Sequence, residues 1–176
     1  MPTFDASTAT VVVDAFKEGL LSRAGHDVRL TVGSFEILVE EDRIEATFDP
    51  SSLKVLHAMK KGQPHHGALS DRDMATIEGY VRDDILECSR YRALRFEADE
   101  LDLDDDVLEV EGQLSCHGET EELSFTAELR GDQWVAEVKL HQPTWGIRPF
   151  KALMGALKIK PGIVVTVTLP ASAFDE

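Results

Sequence analysis

Residues Val107 to His141 read VLEVEGQLSCHGETEELSFTAELRGDQWVAEVKLH. Taking every second residue, Leu108, Val110, Gly112, Leu114 and Cys116 fall on one side, and Glu109, Glu111, Gln113, Ser115 and His117 on the other. A turn is expected at Gly118-Glu119-Thr120. Leu123, Phe125, Ala127 and Leu129 then alternate with Ser124, Thr126, Glu128 and Arg130. After Gly131-Asp132 the same period returns in Trp134, Ala136, Val138 and Leu140. A period of two interrupted by short Gly-containing turns predicts three antiparallel strands in a meander, with a single apolar face. That face must be covered, so the remaining chain is read as its cover.

Working outward, Val11, Val13 and Ala15 mark a first strand over Thr8 to Lys17, followed by a connection from Glu18 to Gly25. In GHDVRLTVGSFEILVE, Val28, Leu30 and Val32 have one parity and Phe35, Ile37 and Val39 the other. The change at Gly33-Ser34 requires a bulge or sharp bend if both sets are to face the same core. Ile44, Ala46 and Phe48 give another strand, ended by Asp49-Pro50-Ser51-Ser52. Leu53, Val55 and Leu56 open a short one, and Lys60 to Ser70 reads as a loop. The period then changes. Met74, Ile77, Val81, Ile85 and Cys88 form one stripe of an amphipathic helix over about 71–88, with Ser70 or Asp71 able to cap its start. Leu94, Phe96 and Ala98 resume the strand period, and Leu101 and Leu103 switch parity. Past Pro143, an apolar and basic connection with room for one helical turn leads to a last strand through Ile163, Val165, Val167 and Leu169.

Eight or nine strands, nearly all sequence neighbours, favour an up-and-down antiparallel barrel with one inserted helix in a single domain over 1–176. Many of the inward positions are small, among them Ala46, Ala98, Gly112, Ala127 and Ala136. A barrel lined this way does not fill its own interior.

Composition bounds the function. The chain has 176 residues and a formal net charge of -15. Such a charge opposes nucleic-acid binding. No apolar run is long enough to span a bilayer. The N-terminus lacks the pattern of a secretory signal, and Cys88 and Cys116 are too few for a disulfide framework, which together predict a cytoplasmic protein with buried thiols. The acids are unevenly spread: none occurs between Val138 and Phe174, where Lys139, Arg148, Lys151, Lys158 and Lys160 stand. Asp102, Asp104 and Asp106 have the spacing of a calcium loop, but Val107 and Gln113 occupy positions that need Gly and Glu. His65 and His66 with His57 could approach a metal, yet adjacent histidines diverge in extended chain and the loop supplies no further donor. His117, beside a turn, is expected to be solvated, and Glu97, Glu109, Glu111 and Glu128 form a wet face. No catalytic motif is present, so no enzyme, cofactor or metal is expected.

Four stretches resemble the YceI-like family of lipocalin-like, polyisoprenoid-binding barrels: Gly25-His26-Asp27-Val28; Arg82 to Leu86 through Tyr91 to Phe96; the hairpin Glu111 to Thr120; and Thr144-Trp145-Gly146-Ile147. Together they cover roughly residues 9 to 170, and the hairpin is the most specific. The resemblance implies an eight-stranded extended barrel holding an isoprenoid, quinone-like or similar chain. On that reading Phe35, Phe96, Leu114, Phe125 and Trp134 line the lumen, and His26 makes a polar contact at its mouth. Trp145 and Phe150 form an amphipathic rim, and Arg148 and Lys151 meet a headgroup. The alternative is a non-enzymatic stress-response or protein-interaction module with a filled barrel. Either reading leaves a homodimer open.

Overall fold

The computed structural model describes residues 2–18, 26–152 and 157–175. The strand segments in chain order are β1 (Thr3–Phe4), β2 (Thr10–Lys17), β3 (Asp27–Val32), β4 (Phe35–Val39), β5 (Ile44–Phe48), β6 (Leu53–Lys60) and β7 (Gln63–His65). Helix α1 (Asp71–Gly79) follows, then β8 (Leu94–Asp104), β9 (Val107–Cys116), β10 (Glu119–Arg130), β11 (Gln133–His141), β12 (Lys151–Ala152) and β13 (Leu157–Pro170). All pairings are antiparallel, in the order β1-β4-β5-β8-β9-β10-β11-β13-β2-β3-β6-β7, with β12 on β13.

The two ends of this order are one hairpin. β3 pairs with β6 and β4 with β5, so residues 27–39 run back along 44–60 with a kink in each arm. The first arm also pairs with β2 through β3, and the second with β8 through β5. Joining the halves of the kinked arms and setting aside the short β1, β7 and β12 leaves eight long strands in a ring. The kink falls at Gly33-Ser34, where the parity change requires it. The Gly33 and Ser34 amides donate to the Ser52 carbonyl at 3.2 Å and Ser52 Oγ at 2.9 Å, and the Asp49 amide donates to the Ser34 carbonyl at 3.0 Å. A Cβ on Gly33 would lie 3.2 Å from the Ser52 carbonyl, so the arms approach this closely because the residue is glycine.

The second parity change is also a bulge. The β8–β9 register slips between Ala98 and Glu100, which sets Leu101 and Leu103 opposite the inward Val110 and Leu108; Leu103, one residue from the end of β8, remains 49% exposed. Three local expectations are corrected. The loop at 60–70 contains β7, whose Ala58–His65 pairing gives β6 a partner. β1, which carries no periodicity of its own, adds to β4. The β9–β10 turn is His117-Gly118, both in left-handed backbone (φ 54° and 80°), so β10 already begins at Glu119. The connection expected at 19–25 lies outside the described residues, as do 153–156 within the connection after Pro143. The helical turn of that connection falls at Gln142–Trp145.

The helix starts where capping chemistry places it. Ser70 Oγ accepts from the Asp73 amide at 3.1 Å, and the Asp73 carboxylate accepts from the Ser70 amide at 3.0 Å. It is shorter than expected in regular form. From Tyr80 to Ile85 the coil widens, and the Leu86 amide donates to the Val81 carbonyl, five residues back, at 2.9 Å. Met74, Ile77 and Val81 pack on Val28, Leu30 and Val55, while Ile85 and Leu86 reach the main core. Glu78 accepts from the Val55 amide at 3.0 Å, tying the helix to β6.

The outer wall is acidic. Glu97, Glu109, Glu111 and Glu128 are exposed, and Glu100 faces Glu111 and Asp102 faces Glu109 directly across β8–β9. Gly112 sits on the inner face beside the bulge. A Cβ there would collide with the Glu97 carbonyl and come within 2.9 Å of both Ala98 Cβ and Phe96 Cζ. We therefore expect Gly112→Val to lower stability by about 1–3 kcal/mol, read as a fall in thermal midpoint of about 2–4 °C per kcal/mol. An unchanged melting curve would contradict the β8–β9 register.

Candidate functional site: the lumen

The barrel is hollow. Its cavity is about 540 Å³, within the range of about 300–1,000 Å³ usual for ligand pockets. The wall is built from the inward side chains of β2, β3, β5, β8, β9, β10, β11 and β13, with helix residues Ile77 and Val81 above. Small residues leave the space: Ala46, Ala127 and Ala136 line it where larger side chains would meet at the centre.

One end is closed by Trp134, at the start of β11, whose ring meets Phe174 edge-on at 5.4 Å. The other end has a two-part cover. α1 and the widened turn form one part. It is fastened at its far side by Glu87, whose Oε2 lies 2.8 Å from His117 Nε2 at the β9–β10 turn. The second part is the segment from Gln142 to Lys151. There Trp145 Nε1 donates to the Leu114 carbonyl at 2.9 Å, and buried Gln142 donates through Nε2 to the Lys160 carbonyl at 3.3 Å. The two parts meet at Tyr80 and Phe150, ring centroids 4.9 Å apart, and both residues line the cavity.

Of the sequence-predicted residues, Phe96, Leu114, Phe125, Trp134, Trp145, Phe150 and His26 line the cavity. Phe96 and Phe125 are in ring contact at 5.5 Å. His26 immediately precedes β3, with its ring 6.2 Å from that of His65. Phe35 is not in the wall: the kink that restores the register turns it into the corner, where it is buried against Phe48. Arg148 and Lys151 are not in the wall either. Both are exposed, because the apolar members of that segment, Ile147 and Phe150, take its inner positions. Among the described residues, the wall contains no Lys or Arg.

Besides His26, the polar members of the lining are Asp73, Thr76, Tyr80 and Gln142, none of which is marked by a motif or a spacing in the sequence. Tyr80 is off the helical stripe and enters the wall where the coil widens, which no periodicity signals. Asp73 is the charged one, and hydrogen bonds from Ser70 hold its carboxyl below the usual range. His117 is also corrected: its side chain is 11% exposed, hydrogen-bonded to Glu87 and in tilted ring contact with Tyr91 at 4.3 Å, so it fastens the cover. His65 and His66 diverge as extended chain requires, His66 meeting His57 at 4.9 Å.

Cys116 also lines the cavity. Burial, with a smaller effect from Cys88, pushes its thiol from 9.0 up to about 11. The thiolate is the reacting form, so at pH 8 the fraction available falls from about one in ten to about one in a thousand. Alkylation of Cys116 in the folded protein should be about 100-fold slower than for an ordinary thiol, rising tenfold per pH unit. Peptide mass spectrometry after timed iodoacetamide exposure checks this. Rapid labelling at pH 8 without unfolding would mean that the lumen is wet.

A family model described as YceI-like domain matches residues 3–171. No curated protein matches the chain significantly. Among solved structures, Burkholderia cenocepacia BcnA superposes with a TM-score of 0.65 at 11% identity, covering 93% of this chain and 96% of that one. A polyisoprenoid binding domain from Saccharophagus degradans, implicated in plant cell wall breakdown, gives 0.61 at 11%, covering 95% of each. The YCEI protein of Campylobacter jejuni gives 0.59 at 12%, covering 81% and 82%. At such identities the likeness concerns the fold.

Proposed function

The chain belongs to the YceI-like family and its barrel is hollow, and from these two facts we propose that it binds an isoprenoid or similar apolar chain in the lumen. The observation that carries the reading is the cavity of about 540 Å³ with an almost wholly apolar wall. The name of the Saccharophagus degradans domain supports the choice of ligand class.

The magnitudes are sufficient. Burying a chain of about fifteen carbons at roughly 0.8 kcal/mol per CH₂ gives about 12 kcal/mol gross. Subtracting at least about 4 kcal/mol for lost freedom leaves about 8, a dissociation constant near micromolar. The tail alone accounts for useful affinity, so no cation is needed in the wall. The head end lies at the cover, where His26, Asp73, Thr76 and Gln142 offer polar contacts suited to a hydroxyl or carbonyl group. In this reading the protein carries its ligand without transforming it and needs no cofactor. The competing interaction module requires a filled barrel, and the cavity argues against it.

Extraction of the purified protein into organic solvent, followed by mass spectrometry, should recover a co-purified lipid. Added farnesol or a short-tailed quinone should raise the melting temperature of stripped protein. Ala136→Phe, which places a ring in the lumen, should cut uptake of a fluorescent prenyl probe at least tenfold while the protein stays folded. Neither lipid nor thermal shift in the unaltered protein would sink the reading.

A further inference from the structure

We propose that the cover end of the barrel docks on the surface of an anionic lipid bilayer, with the Tyr80–Phe150 seam facing the membrane. The inference rests on the lipid-carrying reading and adds where the lipid is collected or delivered.

The first observation is charge placement. The chain carries -15 overall, yet the short β12–β13 hairpin beside the seam is cationic. Lys151 and Lys158 are direct cross-strand partners, an arrangement of like charges that costs stability. Arg148 and Lys160 are exposed on the flanking residues, and Lys17 is the exposed partner of Ile159 across β2–β13. No described carboxylate lies within ion-pair distance of these five groups. The acids near the hairpin are Glu18, whose amide donates to the Lys158 carbonyl, and Asp27, which accepts from the Lys17 amide. On the helix side Asp71, Asp73 and Asp84 are exposed, Asp83 is paired with Arg82, and the Glu78 and Glu87 carboxylates are held by the Val55 amide and His117.

The second observation is continuity with the lumen. The Ile159 amide donates to the Phe150 carbonyl at 3.1 Å, and both side chains line the cavity. The adjacent residues Lys151, after Phe150, and Lys158, before Ile159, pair with each other one step further along the hairpin and are therefore at its mouth. Tyr80, 38% exposed, gives the seam an apolar body with a polar tip, as membrane-interface residues have. The third observation is direction. β13 stands four places from β8 around the ring in either sense, so the acidic β8–β9 wall faces away from the hairpin. At physiological salt, charge is screened over about 8 Å, and the face nearest the bilayer decides the sign.

The test uses the full chain with vesicles of phosphatidylcholine alone or with one-third phosphatidylglycerol. Flotation should show at least tenfold stronger binding to the anionic vesicles at 50 mM salt, lost at 500 mM. Lys158→Glu with Lys160→Glu should abolish that binding and slow transfer of a prenyl probe from anionic vesicles at least tenfold. Uptake of the same probe from dilute solution should be unchanged. The salt titration of the unaltered protein decides the matter should the variant fail to fold. Equal or absent binding to the two vesicles, with probe uptake intact, overturns docking and leaves the lipid-binding reading standing. Equal binding of soluble short-chain phosphatidylglycerol also overturns it, as headgroup capture without a surface. Failure of probe uptake from solution overturns the underlying reading.

Discussion

The structure depends on one kinked hairpin. A curled sheet has two edges, and here both are arms of residues 27–39 and 44–60, bent where the Gly33 and Ser34 amides reach Ser52. A straight hairpin could extend only one end of the sheet. Bent, it offers β3 to β2 and β5 to β8, and the ring closes. Closure fixes which side of each strand is enclosed, so the wall of the cavity and the acidity of the outside follow from the same alternation.

Filling was a separate matter. Ala46, Ala127 and Ala136 point inward, and Gly112 has room for nothing larger beside the β8 bulge. The walls are held apart by the ring while the inward side chains are too small to meet. Two-layer sandwiches remove such space by moving closer together; a hydrogen-bonded ring has no comparable freedom. The hollow in the lumen is a consequence of closure combined with small residues.

Much of this was legible in the residues. The parity change across Gly33-Ser34 announced the kink, and the switch at Leu101 announced the bulge, because a period of two records which way each side chain must face. Phe96, Phe125 and Trp134 were readable as lining for the same reason. Phe35 was misplaced because the bend that corrects parity also turns a corner, and the sequence gives no angle. The segment β7 was hidden by Pro64 and short length. Tyr80 was hidden because it enters the wall where the coil widens, and no periodicity in the sequence marks that change. His117 looked solvated because its partner Glu87 is 30 residues away in sequence.

The Glu78 contact has a consequence for how such a container can open. Its carboxylate occupies a backbone donor on the rim of β6, the Val55 amide. Lifting α1 to admit cargo would uncover that donor, and with it a strand border able to template a foreign strand. Traffic through the other leaf, at Phe150, leaves that border guarded. A barrel that opened on the side away from that raw edge would not become adhesive to its own kind.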